Sequence, residues 1–191
     1  MREDGLGTKL LALARHAIAA ELSLHAPAPE TDAALARPGA TFVTLRCGET
    51  LRGCIGSLRA TRAVGVDVRE NALAAAFRDP RFPPITREEF PMVSIEVSLL
   101  STPQRACFAS EAELASRLVP GIDGVAIDLG EARATFLPQV WDMLPEPRAF
   151  LAALKEKAGF AADFWSPQLN VSLYRVTKWM ESDTLPVHFL P

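Results

Sequence analysis

The stretch Thr41-Phe42-Val43-Thr44-Leu45-Arg46-Cys47, followed by Gly48-Glu49 and then Thr50-Leu51-Arg52-Gly53-Cys54-Ile55-Gly56-Ser57-Leu58, reads as two strands joined by a tight turn. Regular alternation places Arg52, Cys54 and Gly56 on one face of the second strand. Same-face neighbours lie about 6.6 Å apart, at roughly 3.3 Å per residue, a gap that an arginine side chain covers. A thiol set between two glycines and beside a fixed positive charge is where chemistry is expected. The thiolate is the reactive form of cysteine and a guanidinium stabilises it, while the missing side chains of Gly53 and Gly56 let a backbone or a ligand approach closely. The same residues also suit a structural cysteine, because small buried cysteines are common in strands and a strand glycine can simply mark a bulge.

Outward from this hairpin, residues 8 to 24 carry leucine and alanine at helical spacing, with Thr8 placed as N-cap. Residues 26 to 39, with three prolines and a closing Pro38-Gly39, read as a linker. Residues 63 to 78 form an alanine-rich helix that Asp79-Pro80 stops, since the residue before proline is pushed out of the α region. Arg81-Phe82-Pro83-Pro84 then forms a stiff loop that presents Arg81 and Phe82 in a fixed pose or simply pairs Arg81 with Asp79. Val93 to Leu100 alternates as a strand with Ser94, Glu96 and Ser98 on its polar face, where solvent is the ordinary neighbour. Ser110 and Glu113 make a capping pattern for a short helix, 124 to 129 and 132 to 137 pair through Gly130-Glu131, 147 to 158 is a helix closed by Gly159, and 170 to 180 is a last strand. Strands in hairpins with helices between them indicate an α+β fold of largely antiparallel sheet flanked by helices.

The composition narrows the functional classes. A chain of 191 residues is long enough to bury roughly 70% of its unfolded surface without a metal or disulfide. No apolar run approaches the roughly 20 residues that span a bilayer, and the acidic N-terminus lacks an apolar leader segment, so a cytoplasmic, non-membrane protein is expected. Cys47, Cys54 and Cys107 form no C-x-x-C and the three histidines are scattered, so no metal site or cofactor is expected. The net charge of −3 argues against nucleic acid, although residues 46 to 87 hold eight arginines against four acids. That local excess suits either a small anionic ligand, given the bidentate guanidinium, or a solvated, salt-bridged face.

Taken in order, Leu51-Arg52-Gly53-Cys54-Ile55-Gly56, Glu70-Asn71-Ala72-Leu73-Ala74-Ala75-Ala76-Phe77-Arg78-Asp79-Pro80-Arg81-Phe82-Pro83-Pro84, Ile95-Glu96-Val97-Ser98 and Leu137-Pro138-Gln139-Val140-Trp141 resemble the motifs of the AMMECR domain family. The resemblance covers about residues 8 to 180, and Lys155 to Phe160 looks like the family's helix end. It implies a single AMMECR-type domain over residues 1 to 191, with a larger subdomain from both chain ends, a smaller one from a middle portion, and the Leu51 to Gly56 motif near a groove. It also implies association with a Memo-like protein and a radical SAM protein, as in the AmmeMemoRadiSam system. A chain of this length has no room for a fused Memo-like or radical SAM domain, so such chemistry belongs to partners.

Two functional expectations follow. In one, the chain is an enzyme or enzyme component in which Cys54 is nucleophile or covalent carrier, Glu96 or Asp79 is acid, base or orienting group, and Arg52, Gly53, Gly56 and Arg81 bind the substrate. Cysteine hydrolases commonly use a nearby histidine, and here only His16 or His188, outside the motifs, could supply one. In the other, the chain is a non-catalytic anion- or protein-binding module. No P-loop or G-x-G-x-x-G is present, and Phe77 and Phe82 are the only aromatics beside the arginines, too few for a single-strand stacking platform.

Overall fold

The computed structural model describes residues 4–27, 29 and 32–181. Among them are four α-helices and two antiparallel sheets. Two compact units result, one from the chain up to Leu100 together with the stretch from Thr177, the other from Ser101–Val176.

In the first unit the hairpin is the framework. Strand β1 (Pro38–Cys47) is central, pairing with β2 (Thr50–Gly56) on one side and, through a long antiparallel ladder, with β4 (Val93–Leu100) on the other. Short β3 (Arg62–Ala63) pairs with the start of β1, and β9 (Val176–Met180) adds beyond β4, giving the order β2-β1-β4-β9. Period-two alternation sends Val43, Leu45, Ile95 and Val97 to one face, all fully buried. Helices α1 (Asp4–Glu21) and α2 (Val64–Phe77) cover that face with Leu10, Ala14, Ile18, Val68, Ala72 and Ala75. The many alanines of α2 allow it to lie close to the strands, which proves decisive at Gly53.

Several boundaries differ from the sequence expectation. Helix α1 begins at Asp4, so Thr8 lies within it rather than capping it. It ends before Leu24 because Ser23 turns left-handed (φ 55°), and the Ser23 and Leu24 amides donate to the carbonyls of Ala20 and Ala19. The linker is partly ordered, with a 3-10 turn at Ala33–Ala36 capped by Asp32, and Pro38-Gly39 already belongs to β1. Helix α2 stops at Phe77, close to the expected position.

The second unit packs a four-stranded sheet, in the order β5 (Gln104–Ala106), β8 (Asn170–Tyr174), β6 (Gly124–Leu129) and β7 (Ala132–Phe136), with helices α3 (Glu111–Arg117) and α4 (Pro147–Lys157). Ser110 accepts from the Glu113 amide while Glu113 accepts from the Ala109 amide, a reciprocal helix start. Trp141 stacks on Phe150 at 3.8 Å between ring centroids, and both are buried. The single last strand expected over 170 to 180 is broken at Arg175 into β8 and β9, one in each sheet.

Candidate functional site

Cys54 lies on β2, the edge strand of its sheet. Its Cα is paired with Thr44, whose hydroxyl donates to Cys54 Sγ at 3.3 Å. Because the inter-strand bonds of β2 to β1 are made by alternate residues, the Cys54 amide and carbonyl point out of the sheet. Both are met by side chains from the loop after α2. Asp79 Oδ2 accepts the Cys54 amide at 2.9 Å, and Arg81 Nη2 donates to the Cys54 carbonyl at 3.0 Å. The two also pair with each other, Arg81 Nε to Oδ1 at 2.9 Å and Nη2 to Oδ2 at 2.6 Å. A carboxylate and a guanidinium thus occupy the acceptor and donor places that a neighbouring strand would fill.

Asp79 can do this because α2 has ended at Phe77 and the following Pro80 keeps Asp79 out of the α region, so its side chain is free to reach β2. Its side chain is 1% exposed, against 52% for Arg81. The Arg81 side chain, opposed in part by burial and helped by the Cys54 and Arg81 amides, holds the Asp79 carboxyl well below the usual carboxylate range. Arg81 in turn is kept protonated chiefly by Asp79, with Cys54 contributing a smaller favourable interaction. Phe82 lies beneath both arginines, its ring centroid 5.4 Å from the Arg81 guanidinium carbon and 6.0 Å from that of Arg52.

Arg52 departs from the alternation expected of it. Gly53 is opposite Leu45 and Leu51 is opposite Arg46, which leaves Arg52 as the extra residue of a β-bulge. A bulge re-aims its side chain, and here it points Arg52 to Glu89 rather than to Cys54. Arg52 forms an ion pair with both Glu89 carboxylate oxygens, and its Nη1 is buried with no hydrogen-bond partner. The thiol near this pair is Cys47, with Sγ 3.9 Å from Glu89 Oε1. Burial first, and then the Glu89 carboxylate, push the Cys47 thiol up. Neither Cys47 nor Glu89 is prominent in the sequence. The signal that could have found them is a bulge-compatible glycine beside Arg52.

The two glycines have occupants from within the protein. A Cβ on Gly53 would stand 2.2 Å from the Ala75 carbonyl oxygen of α2, and one on Gly56 would stand 2.2 Å from the Phe42 ring. Their missing side chains admit a helix backbone and an aromatic ring. Glu96 is opposite Thr44 on the far side from Cys54, so the three make a row across β2, β1 and β4. Two strand spacings put the Cα atoms of Cys54 and Glu96 about 10 Å apart with Thr44 between them, and Glu96 faces Lys178 at 4.0 Å. Of the two candidate bases, His16 lines a cavity whose walls do not include Cys54, and His188 lies outside the described residues.

Sequence reasoning also missed a buried polar centre at the start of α2. Asp67 is fully buried and accepts from the Thr41 amide and hydroxyl at 2.7 Å each, from Ser57 Oγ at 2.7 Å and from Arg62 Nε at 2.8 Å. Asn71 Nδ2, one turn later, reaches Asp67 and the Thr41 carbonyl at 2.9 Å each. These bonds fasten α2 to β1 and to the end of β2. Two polar residues at i and i+4 on an otherwise apolar helix face were the available signal. Among the described residues no cluster of His, Cys, Asp and Glu is gathered as for a metal ion, and no helix is long and apolar enough to cross a membrane.

The AMMECR1 family model matches residues 11–179, a span that holds the hairpin, the Asp79-Arg81 loop and all but the last residue of the two sheets. The chain belongs to the AMMECR1 family. A protein of Thermofilum pendens is 33% identical to it over 198 residues, covering 94% of this chain and 91% of the relative. A protein of Methanothermobacter thermautotrophicus is 36% identical over 175 residues, covering 86% and 88% respectively. The crystal structure of the uncharacterized protein PH0010 from Pyrococcus horikoshii superposes with a TM-score of 0.77 at 30% identity, covering 92% of this AMMECR1-family chain and 91% of that one.

Proposed function

We propose that this single AMMECR-type domain is a ligand-handling component of a larger enzyme system, with the Cys54 thiol as its functional group and Arg81 as its anion contact. The observation that carries the reading is the mounting of Cys54. Thr44 donates to the sulfur, while the half-exposed Arg81 guanidinium is held at the Cys54 carbonyl by the buried Asp79. Asp79 is then a positioning residue. Oδ1 accepts from the Arg81 amide and Nε, and Oδ2 from the Cys54 amide and Arg81 Nη2, which leaves little room for proton transfer. Glu96 acts on the same sheet face through Thr44, and Arg52 supports the rim through Phe82 and Glu89. Gly53 and Gly56 let the strand sit close to α2 and Phe42, which fixes the thiol's position.

A non-catalytic anion- or protein-binding module is the second reading, favoured by the engagement of Asp79 with Arg81 and of Glu96 toward Lys178. In either case the composition supports a cytoplasmic setting, and the family resemblance supports association with a Memo-like protein and a radical SAM protein.

The test compares iodoacetate with iodoacetamide at Cys54, Cys47 and Cys107 by peptide mapping. A guanidinium about 4 Å from a bound carboxylate contributes about 1 kcal/mol even at the dielectric of water, so an anionic reagent that seats on Arg81 while alkylating Cys54 should be favoured about five-fold there relative to exposed Cys107. Arg81→Gln should abolish the preference. Equal reagent ratios at the two thiols, or a ratio unchanged in Arg81→Gln, would sink the anion-directed thiol.

A further inference from the structure

We propose that the cavity between α1, the 3-10 turn at Ala33–Ala36 and α2 is a binding site for a small aliphatic carboxylate, separate from the Cys54 site. Its volume is about 500 Å³, within the range that holds small organic ligands. Leu13, Leu35, Ala36 and Val66 make most of its wall, so the body of the ligand is apolar, and no Phe, Tyr or Trp lines it. Three polar side chains converge there: His16 from α1, Asp32 ahead of the turn and Arg69 from α2.

Two of the three have capacity to spare. His16 Nδ1 is buried without a hydrogen-bond partner, a state that native proteins rarely leave unfilled. Arg69 is exposed and has no ion-pair or hydrogen-bond partner among the described residues. Asp32, by contrast, is already committed, to Lys9 and to the Ala34 amide at 2.7 Å. The hydrogen bond from Lys9 and, among smaller influences, the charge of Arg37 hold it below the usual carboxylate range. With Asp32 neutralised, the uncompensated charge at the cavity is the positive one of Arg69. An apolar wall, a free cation at the mouth and an unfilled ring nitrogen match an alkyl chain ending in a carboxylate, which Arg69 can take bidentately.

Hexanoate is the probe, titrated into the full chain and followed by backbone amide shifts, with 1-hexanol as its neutral counterpart. The expected result is saturable one-to-one binding with shifts in α1, the 3-10 turn and α2. Arg69→Gln, an exposed position that leaves the fold intact, should weaken hexanoate about ten-fold while changing hexanol little. Val66→Trp, at a half-exposed wall position, should exclude both probes. Arg133→Gln in the second unit is the charge-matched control and should bind as wild type. The proposal is overturned by absence of saturable shifts in wild type, by hexanol binding as tightly as hexanoate, or by equal weakening in Arg69→Gln and Arg133→Gln. It is also overturned if a folded Val66→Trp still binds hexanoate normally.

Discussion

Replacing Asp79 by asparagine tests whether the Cys54 edge is held by charge. The amide keeps one acceptor oxygen but turns an NH₂ toward either the Cys54 amide or the Arg81 guanidinium, both of them donors. Hydrogen bonds to a charged group contribute about 1.5–3 kcal/mol each, and a buried amide left unpaired costs about 1–3 kcal/mol. Arg81 is half exposed, so its share is screened toward the 0–1 kcal/mol of a surface pair. The sum is about 2–4 kcal/mol, or a fall in Tm of roughly 4–16 °C at 2–4 °C per kcal/mol for a chain of this size. Arg81→Gln should cost about 1 kcal/mol, because it removes the exposed partner and leaves Asp79 its two amide donors. The pH dependence follows from the lowered folded pKa of Asp79. Its stabilisation is complete above the unfolded value of about 3.9 and is lost as pH falls through the lower folded value, so the gap between wild type and Asp79→Asn should close in strong acid. Thermal melts across pH, with hydrogen exchange at the Cys54 amide, provide the assay. A Tm loss in Asp79→Asn no larger than in Arg81→Gln, or unaltered exchange at Cys54, would refute the strand-capping argument.

Two further outcomes follow from the same geometry. Gly53→Ala should be the costlier glycine substitution, by more than the 1–3 kcal/mol typical of overpacking, because its Cβ meets the α2 backbone; Gly56→Ala meets only the Phe42 side chain, which can rotate. Denaturant melts of both should show that order, and a Gly53→Ala protein as stable as Gly56→Ala would mean that α2 yields there. Glu89→Gln should speed alkylation of Cys47 at fixed pH, since it removes the carboxylate that raises the thiol and leaves the Arg52 cation that lowers it. Peptide mapping with iodoacetamide checks this, and a slower or unchanged Cys47 rate would count against the Glu89 contact.

The hairpin, the α2 helix with its stop at Asp79-Pro80, and the apolar alternation of β4 are legible in residues 41 to 100, because each depends on contacts or dihedral limits within a few positions. So is the pairing of Asp79 with Arg81, two residues apart. What spacing alone could not show is that Arg52 is a bulge residue, since a bulge depends on how β2 registers against β1. Nor could it show that the Asp79-Arg81 pair would take up the backbone of Cys54, 25 residues earlier, in place of a strand. The glycines on either side of Cys54 read locally as room for a ligand, and packing gave that room to Ala75 and Phe42. Local sequence therefore determined which residues became strands, helix and stop, through sterics and hydrophobic periodicity. Tertiary structure decided which charged groups meet the thiol, because that depends on the register and close approach of elements far apart in the chain.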